Sequence, residues 1–202
     1  MAIRIKLFGE EHESTADSYP CEDGIDLALL IDSSKSIPKK NYRKLLQEML
    51  PTFLRTDEMA NNQTRVGVAT FDRDAEILDN FTTYVSHDKE DLIALIESQP
   101  IRLTFKTRID FGLNKVSEML FSDKGGDRTE KPNVLVVFFD GRPFPPEKVD
   151  LDKALPPLRV STQCIILLHE KFLQFDWLRA VVFQLNLKYL RVKITNPLRV
   201  VV

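Results

Sequence analysis

Cysteine is nearly absent from this 202-residue chain, which has only Cys21 and Cys164. Two cysteines make no disulfide scaffold. Cys164 lies inside an apolar run and reads as a buried thiol acting as a small hydrophobe, and no bridge to Cys21 is expected. Histidine is almost as scarce: His12, His87 and His169 are scattered, none recognisably paired with a nucleophile, so the chain is expected not to be an enzyme. An excess of one charge is missing too. Lys and Arg number 28 against 30 Asp and Glu, a net charge of −2, which removes the electrostatic footprint of a nucleic-acid or anionic-membrane partner. No apolar run reaches membrane-spanning length, so no membrane insertion is expected. Met1 to Pro20 lacks the apolar core of a signal peptide, leaving either a cytosolic protein or one whose leader has been replaced by an initiating Met. The paired glycines Gly125-Gly126 lack the spacing and following helix of a phosphate cradle, and no Walker-type loop exists.

What remains is an ordinary globular composition, 43% hydrophobic and 29% charged, sufficient for one domain with a full core. Residues 1–21 read as an extension and linker, 22–196 as the domain, and 197–202 as a tail. Ala2 to Phe8 alternates like a short strand. Apolar runs then alternate with helical patterns, the mark of an α/β protein with a doubly wound, mostly parallel sheet and helices on both faces. Strands are expected at Gly24–Ile31, Thr64–Phe71, Ala75–Phe81, Asn133–Phe139, Gln163–Leu168 and Tyr189–Ile194. Tyr42, Leu45, Leu46, Met49 and Phe53 stripe a helix that Pro51 should kink or end. Further helices are expected over His87–Ser98, along Ile109, Leu113, Val116 and Leu120, around Glu147–Leu158, and over Asp176–Gln184. Asp72-Arg73-Asp74 reads as a tight hairpin turn, and Ser122–Pro132 as a surface loop.

The most informative segment is Asp32-Ser33-Ser34-Lys35-Ser36, at the turn from strand to helix. Alternate side chains share one side of such a turn, so Asp32, Ser34 and Ser36 can converge. All three offer oxygen, and one is charged, as suits a hard cation such as Mg²⁺. Taken alone, the same residues read first as turn and N-cap residues, with Pro38 in the first helical turn, and only the rest of the chain moves the reading toward a cation. A second run ends at Asp140-Gly141, and ligands of open α/β sheets bind at strand C-terminal ends where strand order reverses. Thr107, at the start of the helix striped by Ile109 to Leu120, could complete the cup or cap that helix.

Asp32-x-Ser34-x-Ser36, then Thr107 five residues before Gly112, then Asp140-Gly141, resembles the metal-ion-dependent adhesion site of von Willebrand factor A domains, a group that includes the integrin inserted domains. The resemblance runs from about Glu22 to Asn196. It implies a six-stranded Rossmann-like sheet with one short antiparallel edge. It also implies Ser34, Ser36 and Thr107 as hydroxyl ligands of Mg²⁺, with Mn²⁺ or Ca²⁺ as alternatives, and Asp32 and Asp140 acting directly or through water. An acidic residue of a protein partner would take the open position, the partner being collagen or another matrix or cell-surface protein. Three features depart from the family. Lys35 stands where many members have Gly, and Phe139 replaces a hydroxyl residue. The β-like segment Thr195 to Val202, with Pro197, stands where a terminal helix is usual.

The leading function is therefore cation-dependent binding by a secreted, extracellular adhesion module, with the sequons at Asn62 and Asn80 as weak support. The alternative is an intracellular scaffold of the same fold within a multiprotein complex. Basic and aromatic residues in the loops around the site, Arg102, Phe105, Lys106, Arg142 and Phe144, suggest a mixed rim that suits an acidic ligand.

Overall fold

The structure, a computed structural model, describes residues 24–55, 64–86, 89–100, 104–140, 142–161 and 164–168. Strand β1 (Asp26–Asp32) is buried at all seven positions. Leu27, Leu29 and Ile31 face one core and Ala28 and Leu30 the other, so β1 can only be a central strand. It pairs in parallel with β2 (Arg65–Phe71) on one side and β4 (Asn133–Phe138) on the other. β5 (Cys164–Leu168) runs parallel to β4, and the short edge strand β3 (Ala75–Asp79) runs antiparallel to β2. The sheet order is β3-β2-β1-β4-β5. The chain leaves β1 in one direction and returns on its other side, so strand order reverses between β1 and β4.

Helices cover both faces. On one lie α1 (Lys39–Lys44), a π-helical stretch (Leu45–Met49), α2 (Leu50–Leu54) and, further along the chain, α4 (Lys89–Glu97). Leu46, Leu50, Phe53, Leu92 and Ile96 seal them onto β1, β2 and β4. On the other face lie α5 (Ile109–Lys115), a second π-helical stretch (Val116–Leu120) and α6 (Leu151–Ser161), joined by Phe81 of α3 (Phe81–Ser86). Each fully buried Leu or Phe contributes about 1.5–3 kcal/mol, so the two cores dominate stability.

The α/β class, the doubly wound order and the antiparallel edge are as expected, with five strands described. The strand expected at Tyr189–Ile194, the helix at Asp176–Gln184, the strand at Ala2–Phe8, Cys21, the linker and the tail lie outside the described residues. Two local expectations need correcting. Pro51 does not end the helix. Leu50 donates its N–H back five residues to Leu45 O, widening the turn ahead of the proline ring, and Pro51 then falls in the first turn of α2, where a missing N–H costs least. The strand expected to reach Phe81 stops at Asp79, because Asn80 starts a helix instead: its Oδ1 accepts the Thr83 N–H at 2.8 Å and the Thr83 hydroxyl at 3.0 Å.

The end of the sheet away from Asp32 is closed by a buried ion pair. Arg128 donates through Nη2 (2.6 Å) and Nε (2.9 Å) to Asp26 Oδ1, its own N–H reaches Asp26 Oδ2 at 2.8 Å, and Nη2 also reaches Ile25 O. This fastens the 122–132 segment to the first residue of β1.

Candidate metal centre

Asp32 ends β1 fully buried. Its Oδ1 accepts the Ser34 N–H at 2.8 Å, folding the chain into a turn, while Oδ2 is buried with no hydrogen-bond partner. Asp140 lies two residues beyond β4, the strand beside β1, and repeats the arrangement. Its Oδ1 accepts the Arg142 N–H at 2.9 Å, and Oδ2 is buried without a partner. Two neighbouring strands thus each end in a carboxylate with one oxygen tied by the N–H two residues on and the other bare.

Ser33 faces away, holding Phe71 O through its N–H (2.8 Å) and hydroxyl (3.1 Å). Ser34 and Ser36 therefore share the opposite side of the turn, their hydroxyl oxygens 2.8 Å apart. Neither caps a helix: the N-cap of α1 is Pro38, and it has no side-chain cap bond. Thr107 does not cap α5 either, whose N-cap is Arg108, also without a side-chain bond. Thr107 is instead buried and clamped by a two-way backbone bridge, N–H to Phe144 O at 2.8 Å and O from Phe144 N–H at 3.1 Å. That leaves the capping alternative without support at Ser36 and Thr107.

Asp72 is the residue that sequence reasoning undervalued. It does make the hairpin turn, accepting the Asp74 N–H on Oδ1. It is also buried, and it holds the Thr107 loop at two points, accepting the Thr104 hydroxyl on Oδ2 at 2.9 Å and the Arg108 N–H on its carbonyl at 2.7 Å. Thr104 O in turn accepts the Lys35 N–H at 2.9 Å, so three loops lock together above the sheet. The available signal was position: Asp72 follows the C-terminal end of β2, as Asp32 ends β1.

The electrostatics follow from this crowding. Burial pushes the Asp32 carboxyl up to about 7. The Ser34 hydrogen bonds oppose the rise, and the charges of Asp140 and Asp72 add to it. Among the described residues no three His, Cys, Asp or Glu side chains gather at metal-holding distance, so any cation here would rely on hydroxyls and water as well as carboxylates. The donor set fits one: two bare buried carboxylate oxygens, adjacent serine hydroxyls and a buried threonine, all hard oxygen ligands.

Comparison with known proteins agrees with this architecture. The sequence pattern of the von Willebrand factor type A domain matches residues 26–164. Mouse vitrin is 30% identical over 146 residues, covering 70% of this chain and 22% of vitrin, and guinea-pig cochlin is 30% identical over 87 residues, covering 43% of this chain and 15% of cochlin. The chain thus spans about a fifth of the length of these relatives. Among solved structures, proximal thread matrix protein 1 from the mussel byssus overlays with a TM-score of 0.62 at 21% identity, covering 71% of this chain and 36% of that one. The same mussel protein with a zinc-occupied MIDAS motif overlays at 0.52 and 22% identity, covering 71% and 37%. A sequence pattern matched over well more than half the chain, carried on this sheet, is decisive: the chain belongs to the von Willebrand factor type A domain family.

Proposed function

We propose that this chain is a divalent-cation-dependent protein-binding module of an extracellular matrix or cell-surface protein. Asp32, Ser34, Ser36, Thr107 and Asp140 would hold Mg²⁺, with Mn²⁺ or Ca²⁺ able to use the same oxygens. The observation that carries the reading is the pair of buried, partnerless oxygens, Asp32 Oδ2 and Asp140 Oδ2, on adjacent strand ends. An unpaired buried carboxylate is costly, and two together more so. Homology to the matrix proteins vitrin and cochlin supports the setting, and the zinc-occupied site of the mussel protein supports a cation.

When bound, the cation supplies an electrophilic position that a partner carboxylate can enter. The chain's own residues do the preparation. The Ser34 and Arg142 N–H groups orient the two carboxylates, and Asp72 and the Phe144 backbone fix the Thr107 loop. Partners of this kind include collagen and other matrix or cell-surface proteins carrying an exposed acidic residue.

Calorimetric titration of Mg²⁺ into the wild type and Asp140→Ala tests the site. About one equivalent should bind to the wild type and none to the variant. At about a hundred times its dissociation constant the metal should add about 2.7 kcal/mol of stability. Failure of well-folded wild type to bind Mg²⁺ or Mn²⁺ would return the five residues to a structural role.

A further inference from the structure

Large hydrophobic side chains are exposed at three places among the described residues: Phe105 (71%), Phe144 (52%) and Phe111 (38%). All three belong to the surroundings of Thr107. Phe105 precedes it by two residues, Phe111 follows it by four, and Phe144 is its backbone-bridge partner. The rest of the described surface has none. Such segregation marks an interaction surface, since scattered exposure would carry no meaning.

Two of the rings, and the backbone that carries the third, are also held in place before any partner arrives. The Lys35 ammonium lies 4.1 Å from the centroid of the Phe105 ring, and the Lys35 N–H is tied to Thr104 O beside it. The Phe144 backbone is fixed by both hydrogen bonds of the Thr107 bridge. Arg108 stacks on Phe111 at 3.7 Å while its charge is matched by Asp110. Prior fixation lowers the entropic cost of docking, and aromatic side chains in rigid settings are the usual energetic anchors of interfaces. The charge on the same loops is complementary to an acidic guest: Lys35, Lys106 and Arg142 are exposed, and among the described residues none of them is in an ion pair.

We infer that this pole selects a protein segment in which an acidic side chain stands next to a bulky apolar one, the acid entering over Asp32 and Asp140 and the apolar neighbour resting on Phe105 and Phe144. The inference rests on the binding-module reading and adds to it the partner's second determinant. One face of the Phe105 ring is taken by Lys35, which leaves the other for the guest. Lys35 serves as a positioning residue for that ring and as a source of attraction for acidic segments.

A random peptide library displayed on phage and selected on the full chain in Mg²⁺ tests it, with parallel selections in EDTA. Mg²⁺ binding is measured calorimetrically on every protein used. The expected pool is metal-dependent and enriched in Asp or Glu beside Phe, Leu, Ile or Met. Phe105→Ala, at an exposed position outside the Thr107 bridge, should weaken the selected peptides about tenfold and abolish the apolar preference while keeping Mg²⁺ affinity, and Phe144→Ala should weaken the peptides comparably. Lys35→Glu should weaken them further at low salt than at high salt. A pool of acidic peptides with no apolar preference, or no metal-dependent pool from protein that does bind Mg²⁺, overturns the inference and leaves the metal site standing. Loss of Mg²⁺ binding in the wild type overturns both. Phenylalanine-dependent binding to phosphatidylserine vesicles in place of peptides would show a membrane surface and overturn the inference as well.

Discussion

Asp32 has to be anionic to hold a cation, yet its surroundings favour the neutral acid: it is buried and faces the charges of Asp140 and Asp72, and its carboxyl is raised to about 7. The folded protein therefore holds that proton to higher pH than the unfolded chain, whose carboxyl titrates near 3.8. Stability falls with rising pH wherever the folded state binds more protons. The contribution of Asp32 to the stability of the metal-free protein should thus fall as pH climbs from about 4 to about 7 and level off above, opposite in sign to ordinary acid denaturation. Urea unfolding in EDTA across that window reads the slope, and Asp32→Asn should flatten it. A slope unchanged in the variant would place the titrating group elsewhere. In saturating Mg²⁺ the decline should vanish if Asp32 holds the cation, because proton and cation would then compete for its carboxylate. At this scale the positions of Asp32 and Asp140 were legible, since an aspartate closing an apolar run marks a strand end. Asp72 was not. Its hairpin role is a sufficient local explanation, and its bonds to Thr104 and Arg108 join residues more than thirty positions apart.

Elements decide how firmly the Thr107 loop sits on the sheet. Gly112 lets α5 approach so closely that a Cβ there would stand 3.1 Å from Leu30 Cδ1 and from the Phe71 ring. Gly112→Ala meets a contact tighter than ordinary packing, and Gly112→Val has no room at all. The valine variant should lose about 1–3 kcal/mol in denaturant unfolding and bind Mg²⁺ more weakly, since pushing α5 outward carries Thr107 with it. Stability lost with Mg²⁺ affinity intact would uncouple the helix from the site. Strand identity and helix faces were readable because apolar periodicity is a direct consequence of burial. The π-helical stretches at Leu45–Met49 and Val116–Leu120 were not, because apolar residues three and four apart suit either winding over so short a run. Nor was the end of β3, which a side-chain cap at Asn80 settles against the β-like composition of the run.

For the molecule as a whole, β1 is the member that joins the two poles. Asp26, fully buried at one end, is matched by Arg128, while Asp32 at the other end has no matching cation among the described residues. Arg128→Ala should cost about 3–5 kcal/mol, because it leaves Asp26 buried and unpaired. Thermal unfolding of the variant measures the loss, and a change under about 1 kcal/mol would mean that water reaches Asp26 and the pair is ornamental. Between those ends, seven residues of β1 are in register with β2 and six with β4, all in parallel. A partner hung on the pole at Asp32 would pull along the strand axis. Tension in that direction loads both evenly spaced ladders in shear, every bond at once, and cannot peel them apart singly. The anchor point for such a load is the most deeply embedded strand of the protein, so release should depend on the metal contact and the rim long before the fold gives way.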